Sequence, residues 1–219
     1  MPLRLIFMFA FCIGVVVMIA AAVQSRSSTP ESRVPLKSGD VVFQSSGASE
    51  ALLLERLSDS PYSHVGIVDV TPQGPYVIEA AKPKVTRTPW TVWWKTGLGH
   101  HVTIMRASNL SDADAHAVIA AASGFVGHPF DEVLDWDDDH LYSSELVVKA
   151  FDHGAHLTLG QTQRLDSLHL AGLDADLEER FGGKPPGDRL IVTPASVAAD
   201  SNLTMVWSSF PKAGGKQAE

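Results

Sequence analysis

Cysteine is almost missing from this chain: of 219 residues only one, Cys12, is cysteine. Cys12 sits inside an apolar N-terminal run, with Phe11 before it and ten more apolar residues after it, which is not where a lipid-modified cysteine stands. The remaining chain therefore has no disulfide, no thiolate metal ligand and no thiolate nucleophile. Basic residues are also scarce, with 17 Lys and Arg against 25 Asp and Glu and a net charge of −8. Residues 1–37 carry +3, from Arg4, Arg26, Arg33 and Lys37 against Glu31, so the remainder carries −11. Such a domain repels phosphate backbones, which argues against a nucleic-acid partner. Charged residues make up 19% and hydrophobic residues 45%, which excludes a disordered chain and leaves ample material for one core. Neither an internal repeat nor a low-complexity tract is visible.

A long apolar run occurs only at the N-terminus. Arg4 precedes 18 apolar residues, Leu5 to Ala22, and a Ser-, Pro- and Arg-rich stretch follows. Signal cores run about 7–15 residues and spanning helices about 17–25. Residues 1–23 are therefore an export signal or a single membrane anchor, and Ala20-Ala21-Ala22 suits a signal peptidase. Residues 24–37 form a linker, 38–210 the folded domain and 211–219 a tail.

The patterning of the domain predicts an α+β fold, with strands concentrated in the first half and helices in the second. After the Ser38-Gly39-Asp40 turn, strands are expected over Asp40–Gln44, His64–Val70, Tyr76–Glu79, His101–Arg106 and Leu203–Trp207. Helices are expected over Ala48–Leu57, from Ser111 to about Ser123, over Ser143–His153 closed by Gly154, across Gln161–Phe181, and from Thr193-Pro194. Trp90, Trp93 and Trp94 are core residues by default, or line a substrate- or lipid-facing surface.

Three positions suggest chemistry. Ser143 opens a helix, His64 opens an apolar strand, and Glu79 ends the next strand. Antiparallel pairing across Thr71–Pro75 would bring the His64 and Glu79 ends together. A base, an orienting carboxylate and a nucleophile at a helix N-terminus are the parts needed for nucleophilic acyl transfer. Ser63 and Ser144 read as turn and first-turn residues. Asp135, Asp137, Asp138, Asp139 and His140 read as a solvated acidic loop lacking the glycine and glutamate of a calcium site. His100-His101 lacks a third ligand at regular spacing.

Ser38-Gly39-Asp40-Val41-Val42-Phe43-Gln44, Tyr62-Ser63-His64-Val65-Gly66-Ile67-Val68 and Tyr76-Val77-Ile78-Glu79-Ala80 resemble, in order, the opening motifs of the YaeF/YiiX-type permuted papain-like amidases. Gly127-His128-Pro129-Phe130-Asp131, Trp136-Asp137-Asp138, Tyr142-Ser143-Ser144-Glu145-Leu146-Val147 and Val192-Thr193-Pro194 resemble the later ones. The resemblance covers roughly Ser38 to Trp207. It implies a permuted papain-like (NlpC-type) fold, a small antiparallel sheet packed on helices, with His64 as base, Glu79 as orienter and position 143 as nucleophile. Tyr142 and Tyr62 are implied as substrate contacts, and Asp131 and Trp136 as braces of the loop leading to Ser143. The implied substrate is an envelope peptide or lipid, hydrolysed without metal or organic cofactor. The implied location is exported, periplasmic or membrane-anchored.

One residue departs from the family pattern, because Ser143 stands where the family keeps a cysteine. Three readings stay open: a serine introduced into a cysteine enzyme, a working serine hydrolase, or a binding module without chemistry. Acyl transfer to an acceptor other than water would use the same residues. Ser143 as a plain helix N-cap is compatible with each.

Overall fold

The computed structural model describes residues 34–48 and 51–211. The apolar segment and its linker up to residue 33, and the tail from residue 212, lie outside the described residues. Among the described residues no helix is long and apolar enough to cross a membrane.

The first strand, β1 (Val41–Gln44), is followed by helix α1 (Ala51–Ser58) and then by β2 (His64–Thr71), β3 (Gly74–Ala81) and β4 (Lys84–Pro89). Helix α2 (Trp90–Thr96), strand β5 (Thr103–Ala107) and helices α3 (Asp112–Gly124) and α4 (Ser143–Ala155) come next. The chain closes with β6 (Gln163–Arg164), α5 (Asp174–Phe181), β7 (Leu190–Ile191), α6 (Pro194–Ala198) and β8 (Leu203–Ser208). Six strands form one antiparallel sheet in the order β4-β3-β2-β1-β5-β8, and β6 pairs with β7 apart from it.

Both faces of the central strands are covered, which is why β1 and β2 read as nearly continuous apolar runs rather than alternating ones. Val41, Phe43, Val65, Ile67, Ile78 and Ala80 pack on one face against Val118 and Ala122 of α3 and Leu146, Val147, Ala150 and Phe151 of α4. Val42, Val68, Val77 and Ile104 point the other way and pack against Trp90, Trp93 and Trp94. The tryptophans are thus core residues, and the surface-facing alternative is not what forms.

Helix ends follow their local chemistry. Ser111 caps α3, its Oγ accepting from the Asp114 N–H at 3.1 Å while Asp114 Oδ2 accepts from the Ser111 N–H at 3.3 Å. Thr193 caps α6 the same way, accepting from the Ser196 N–H at 3.1 Å, with Pro194 in the first turn.

The structure corrects two helix expectations from the sequence. Helix α4 is not closed by Gly154; it runs on to Ala155 and ends at His156, whose φ is 52°. Gly154 has another role. A Cβ there would stand 2.4 Å from the Val118 backbone nitrogen, so the missing side chain is what lets α4 lie directly on α3. The stretch Gln161–Phe181 is not one helix. Gln163–Arg164 pair as β6, a 3-10 turn covers Leu165–Ser167, and only Asp174–Phe181 is α-helical. Its leucines mimic helical spacing because Leu173 and Leu177, with Leu168 and Leu170 beside them, pack on Leu53 and Leu57 of α1. The sequence patterning also leaves residues 81–100 unassigned, and they form β4 and α2.

Candidate active site

The β2–β3 register sets the site. Ile67 faces Ile78 and Val68 faces Val77, and continuing that register places Glu79 opposite Gly66, one diagonal step from His64. A Cβ on Gly66 would meet Val77 Cγ1 at 2.4 Å and Glu79 Cβ at 3.5 Å, so the glycine lets β3 come this close. His64 Nε2 and Glu79 Oε2 lie 2.6 Å apart, and both residues are buried. The same Glu79 oxygen accepts from Trp93 Nε1 at 2.8 Å, and Oε1 accepts from the Thr88 hydroxyl at 2.5 Å.

Burial raises the Glu79 pKa, but the hydrogen bond and charge of His64, with the bonds from Thr88 and Trp93, outweigh it and hold the carboxyl below its ordinary value. Glu79 is therefore ionised at neutral pH. It fixes one imidazole nitrogen, Nε2, and with it the orientation of the ring. Thr88 on β4 and Trp93 on α2 complete this hold, and nothing in the sequence pairs either with Glu79. The one available signal is the tryptophan cluster, whose indole N–H must find an acceptor when buried.

Ser143 is the first residue of α4 rather than its cap; Tyr142 takes the cap position. The free N–H groups of the first turn and the helix dipole therefore converge beside the Ser143 hydroxyl. Ser144 donates from Oγ to the Val192 carbonyl at 2.7 Å, and Tyr142 Oη accepts from the Val192 N–H at 3.1 Å. These two bonds clamp the start of α4 to the segment before α6. Burial drives the Tyr142 pKa upward, so the phenol stays neutral.

Glu145 is fully buried in the same turn, with one oxygen 2.9 Å from Lys149 Nζ and the other 3.4 Å from the Tyr142 nitrogen. Lys149 also reaches the acidic loop, donating to Asp138 Oδ1 at 2.7 Å and to the Asp137 carbonyl. Burial pushes the Glu145 carboxyl up to about 7, against the pull of Lys149. Below the unfolded-state pKa both states are protonated and Glu145 contributes no pH dependence. Between the ordinary value of 4.5 and about 7 the folded state holds the proton that the unfolded state has lost, so stability falls as pH rises. Glu145→Gln is expected to flatten the urea-unfolding stability profile across that window by on the order of 3 kcal/mol relative to the parent.

His64, Glu79, Ser143, Ser144 and Tyr142 line one cleft with a volume of about 440 Å³. The structure does not bring Tyr62 into that cleft. The Tyr62 hydroxyl meets Thr103 Oγ1 at 3.0 Å and its ring packs on Phe43 and Phe210, so it is a packing residue. Ser63 accepts from the Ser46 N–H at 2.8 Å, in keeping with a turn role. Asp131 accepts from the Val133 and Asp135 N–H groups at 2.7 and 2.5 Å, which folds the loop ahead of Ser143. Trp136 is exposed and lies 5.1 Å from Lys149 Nζ. His100 stacks edge-on against Trp94, and His101 packs on Phe210.

Residues 35–207 match the family model described as a permuted papain-like amidase enzyme of the YaeF/YiiX type. The uncharacterized protein YiiX of Escherichia coli K12 is 30% identical over 178 residues, covering 80% of this chain and 88% of its own. The crystal structure of the metalloprotein yiiX from Escherichia coli O157:H7 superposes with a TM-score of 0.77 at 30% identity, over 80% of this chain and 98% of its own. The chain belongs to the YaeF/YiiX family of permuted papain-like amidases, a family of amidase- and peptidase-type hydrolases.

Proposed function

We propose that this protein is a hydrolase of the cell envelope that cleaves an amide or acyl ester bond through an acyl-enzyme. The observation that carries the reading is the 2.6 Å His64–Glu79 contact in a cleft that also holds Ser143 at the start of α4. Ser143 Oγ attacks the carbonyl carbon, and His64 takes the hydroxyl proton. A tetrahedral oxyanion forms beside the free N–H groups at the start of α4. The carbon–nitrogen or carbon–oxygen bond then breaks, and the leaving group departs with the proton from His64. Water, deprotonated by His64, attacks the Ser143 ester and releases the acid. Glu79 stays ionised and stabilises the imidazolium in both halves.

Serine changes the demand on this site. A thiol at a helix start ionises near neutral pH, whereas a hydroxyl must hand its proton to the base during attack. The strong hold on Glu79 supplies a base oriented for that task. The solved relative is described as a metalloprotein, which raises a second chemistry. Among the described residues no three His, Cys, Asp or Glu side chains gather as a metal site, and the Glu79 oxygens already accept from three donors. The donor set for a metal is therefore incomplete there.

The envelope part of the proposal rests on the apolar segment Leu5–Ala22, read as an export signal or membrane anchor. One experiment addresses both points. A fluorophosphonate probe reacts only with an activated serine, and fractionated cells expressing the full chain are expected to show the labelled band in the membrane or envelope fraction. The band should be absent in Ser143→Ala. No label in either chain would sink the serine hydrolase, and a label confined to the cytosol would sink the envelope assignment.

A further inference from the structure

The run Trp136-Asp137-Asp138 takes no part in the chemistry above, yet it wraps a buried cation of the helix that carries the nucleophile. Lys149 Nζ donates to Asp138 Oδ1 at 2.7 Å and to the Asp137 carbonyl, and it lies 5.1 Å from the Trp136 ring. Its third partner is Glu145 Oε1 at 2.9 Å, one turn back along α4. These three partners match the three N–H donors of the ammonium. Lys149 is 6% exposed and Glu145 0%, so both ends of the pair are out of water. The run belongs to a loop that closes at its base, where the Asp131 N–H donates to the Leu141 carbonyl at 3.0 Å. Leu141 leads directly into Tyr142 and Ser143.

A buried ion pair is a poor source of stability. Desolvating both charges offsets their attraction, and two apolar side chains of similar size would serve the helix as well or better. What the pair supplies, and apolar contact does not, is a single directed geometry. We infer that Glu145 and Lys149 are positioning residues for the nucleophile: they tie the loop ahead of Ser143 to the first turn of α4, so that the serine and the free N–H groups beside it keep one placement in the cleft. The inference rests on the hydrolase reading above and adds to it the groups that aim the nucleophile. The bonds of Tyr142 and Ser144 to Val192 fix the start of α4 from one side, and the Lys149 tie fixes the loop that enters it. Glu145 Oε2 lies 3.4 Å from the Tyr142 nitrogen, so the pair acts on the residue next to the nucleophile as well as on the loop.

Exchanging the pair for apolar side chains, Glu145→Leu together with Lys149→Met, separates positioning from folding. The full-length double variant is expected to melt no lower than the parent. Turnover of p-nitrophenyl acetate is measured for it in the parent chain and in a Ser143→Cys background. In whichever background turns over, kcat is expected to fall about tenfold or more with KM within about twofold, because a misplacement of about 1 Å can cost about 10²-fold in rate. Amide hydrogen exchange over residues 131–145 should quicken about tenfold or more while that of α3 stays as in the parent. Asp138→Ala cuts the loop end of the tie at a side chain that is 72% exposed, so it leaves the core untouched and decides the matter where the double variant does not fold. It should lower kcat about threefold or more, again at unchanged KM. Unchanged kcat in the folded variant overturns the positioning role and leaves the hydrolase standing. A loss confined to KM, or unchanged exchange over residues 131–145, overturns it as well. No turnover in either background overturns the hydrolase reading and takes the positioning role with it.

Discussion

His64→Ala is expected to reduce turnover by at least about 10³-fold, since removing a general base costs roughly 10²–10⁴ and a serine nucleophile depends on that base throughout. His64 sits at the start of β2 with Nε2 tied to Glu79, and among the described residues no other histidine lines the cleft. The measurement is single-turnover acylation, followed across pH. A second comparison separates a chemical loss from a folding one. In a Ser143→Cys background, His64→Ala should regain rate as pH rises through about 8.5, because the thiol then ionises without help. The Ser143 form has no such recovery. Full activity in His64→Ala would end the mechanism proposed for this cleft, and a recovery with pH in the serine form would assign the proton transfer to another group.

Gly154→Leu is expected to destabilise the fold by about 3 kcal/mol or more, an overpacking effect aimed at backbone rather than at a yielding side chain. A Cβ at this position would lie 2.4–2.6 Å from Val118 N, Val118 Cα and Ala117 C, so α3 would have to shift away from α4. Such a shift opens the core that both helices build on the sheet around Val118, Ala122, Val147 and Phe151. For a domain of this size, each kcal/mol moves the melting temperature by about 2–4 °C, so a drop of roughly 6–12 °C is the expected reading in thermal unfolding. Gly124, which has nothing within 4 Å of an added Cβ, is the control. Gly124→Ala should leave the melting temperature nearly unchanged. Equal behaviour of the two variants would mean that α3 and α4 do not approach as described.

Much of the candidate site was legible in the chain itself. Apolar and β-branched content marked β2 and β3, and the prolines and glycine of Thr71–Pro75 marked their antiparallel reversal. A single such hairpin places residues near its open end side by side, so His64 and Glu79 could be paired on paper. Ser143 stood out because it opens an apolar-patterned helix. These signals are local: each depends on a run of a few residues and on the period of two or 3.6 that its backbone imposes.

What the sequence alone determined was the fold class, the order of most elements, the scarcity of thiol chemistry and the three positions that bear the proposed reaction. The tertiary structure decided what holds those positions. Thr88 and Trp93 reach Glu79 from β4 and α2, Val192 clamps Tyr142 and Ser144 from 48 to 50 residues away, and Gly154 sets the distance between two helices rather than ending one. It also moved Tyr62 out of the cleft and broke Gln161–Phe181 into a strand, a turn and a short helix. The physical reason is the same throughout. Periodicity reports which face of an element is apolar, whereas hydrogen bonds between distant elements and the closeness of two packed helices depend on register and contact, which no local pattern encodes.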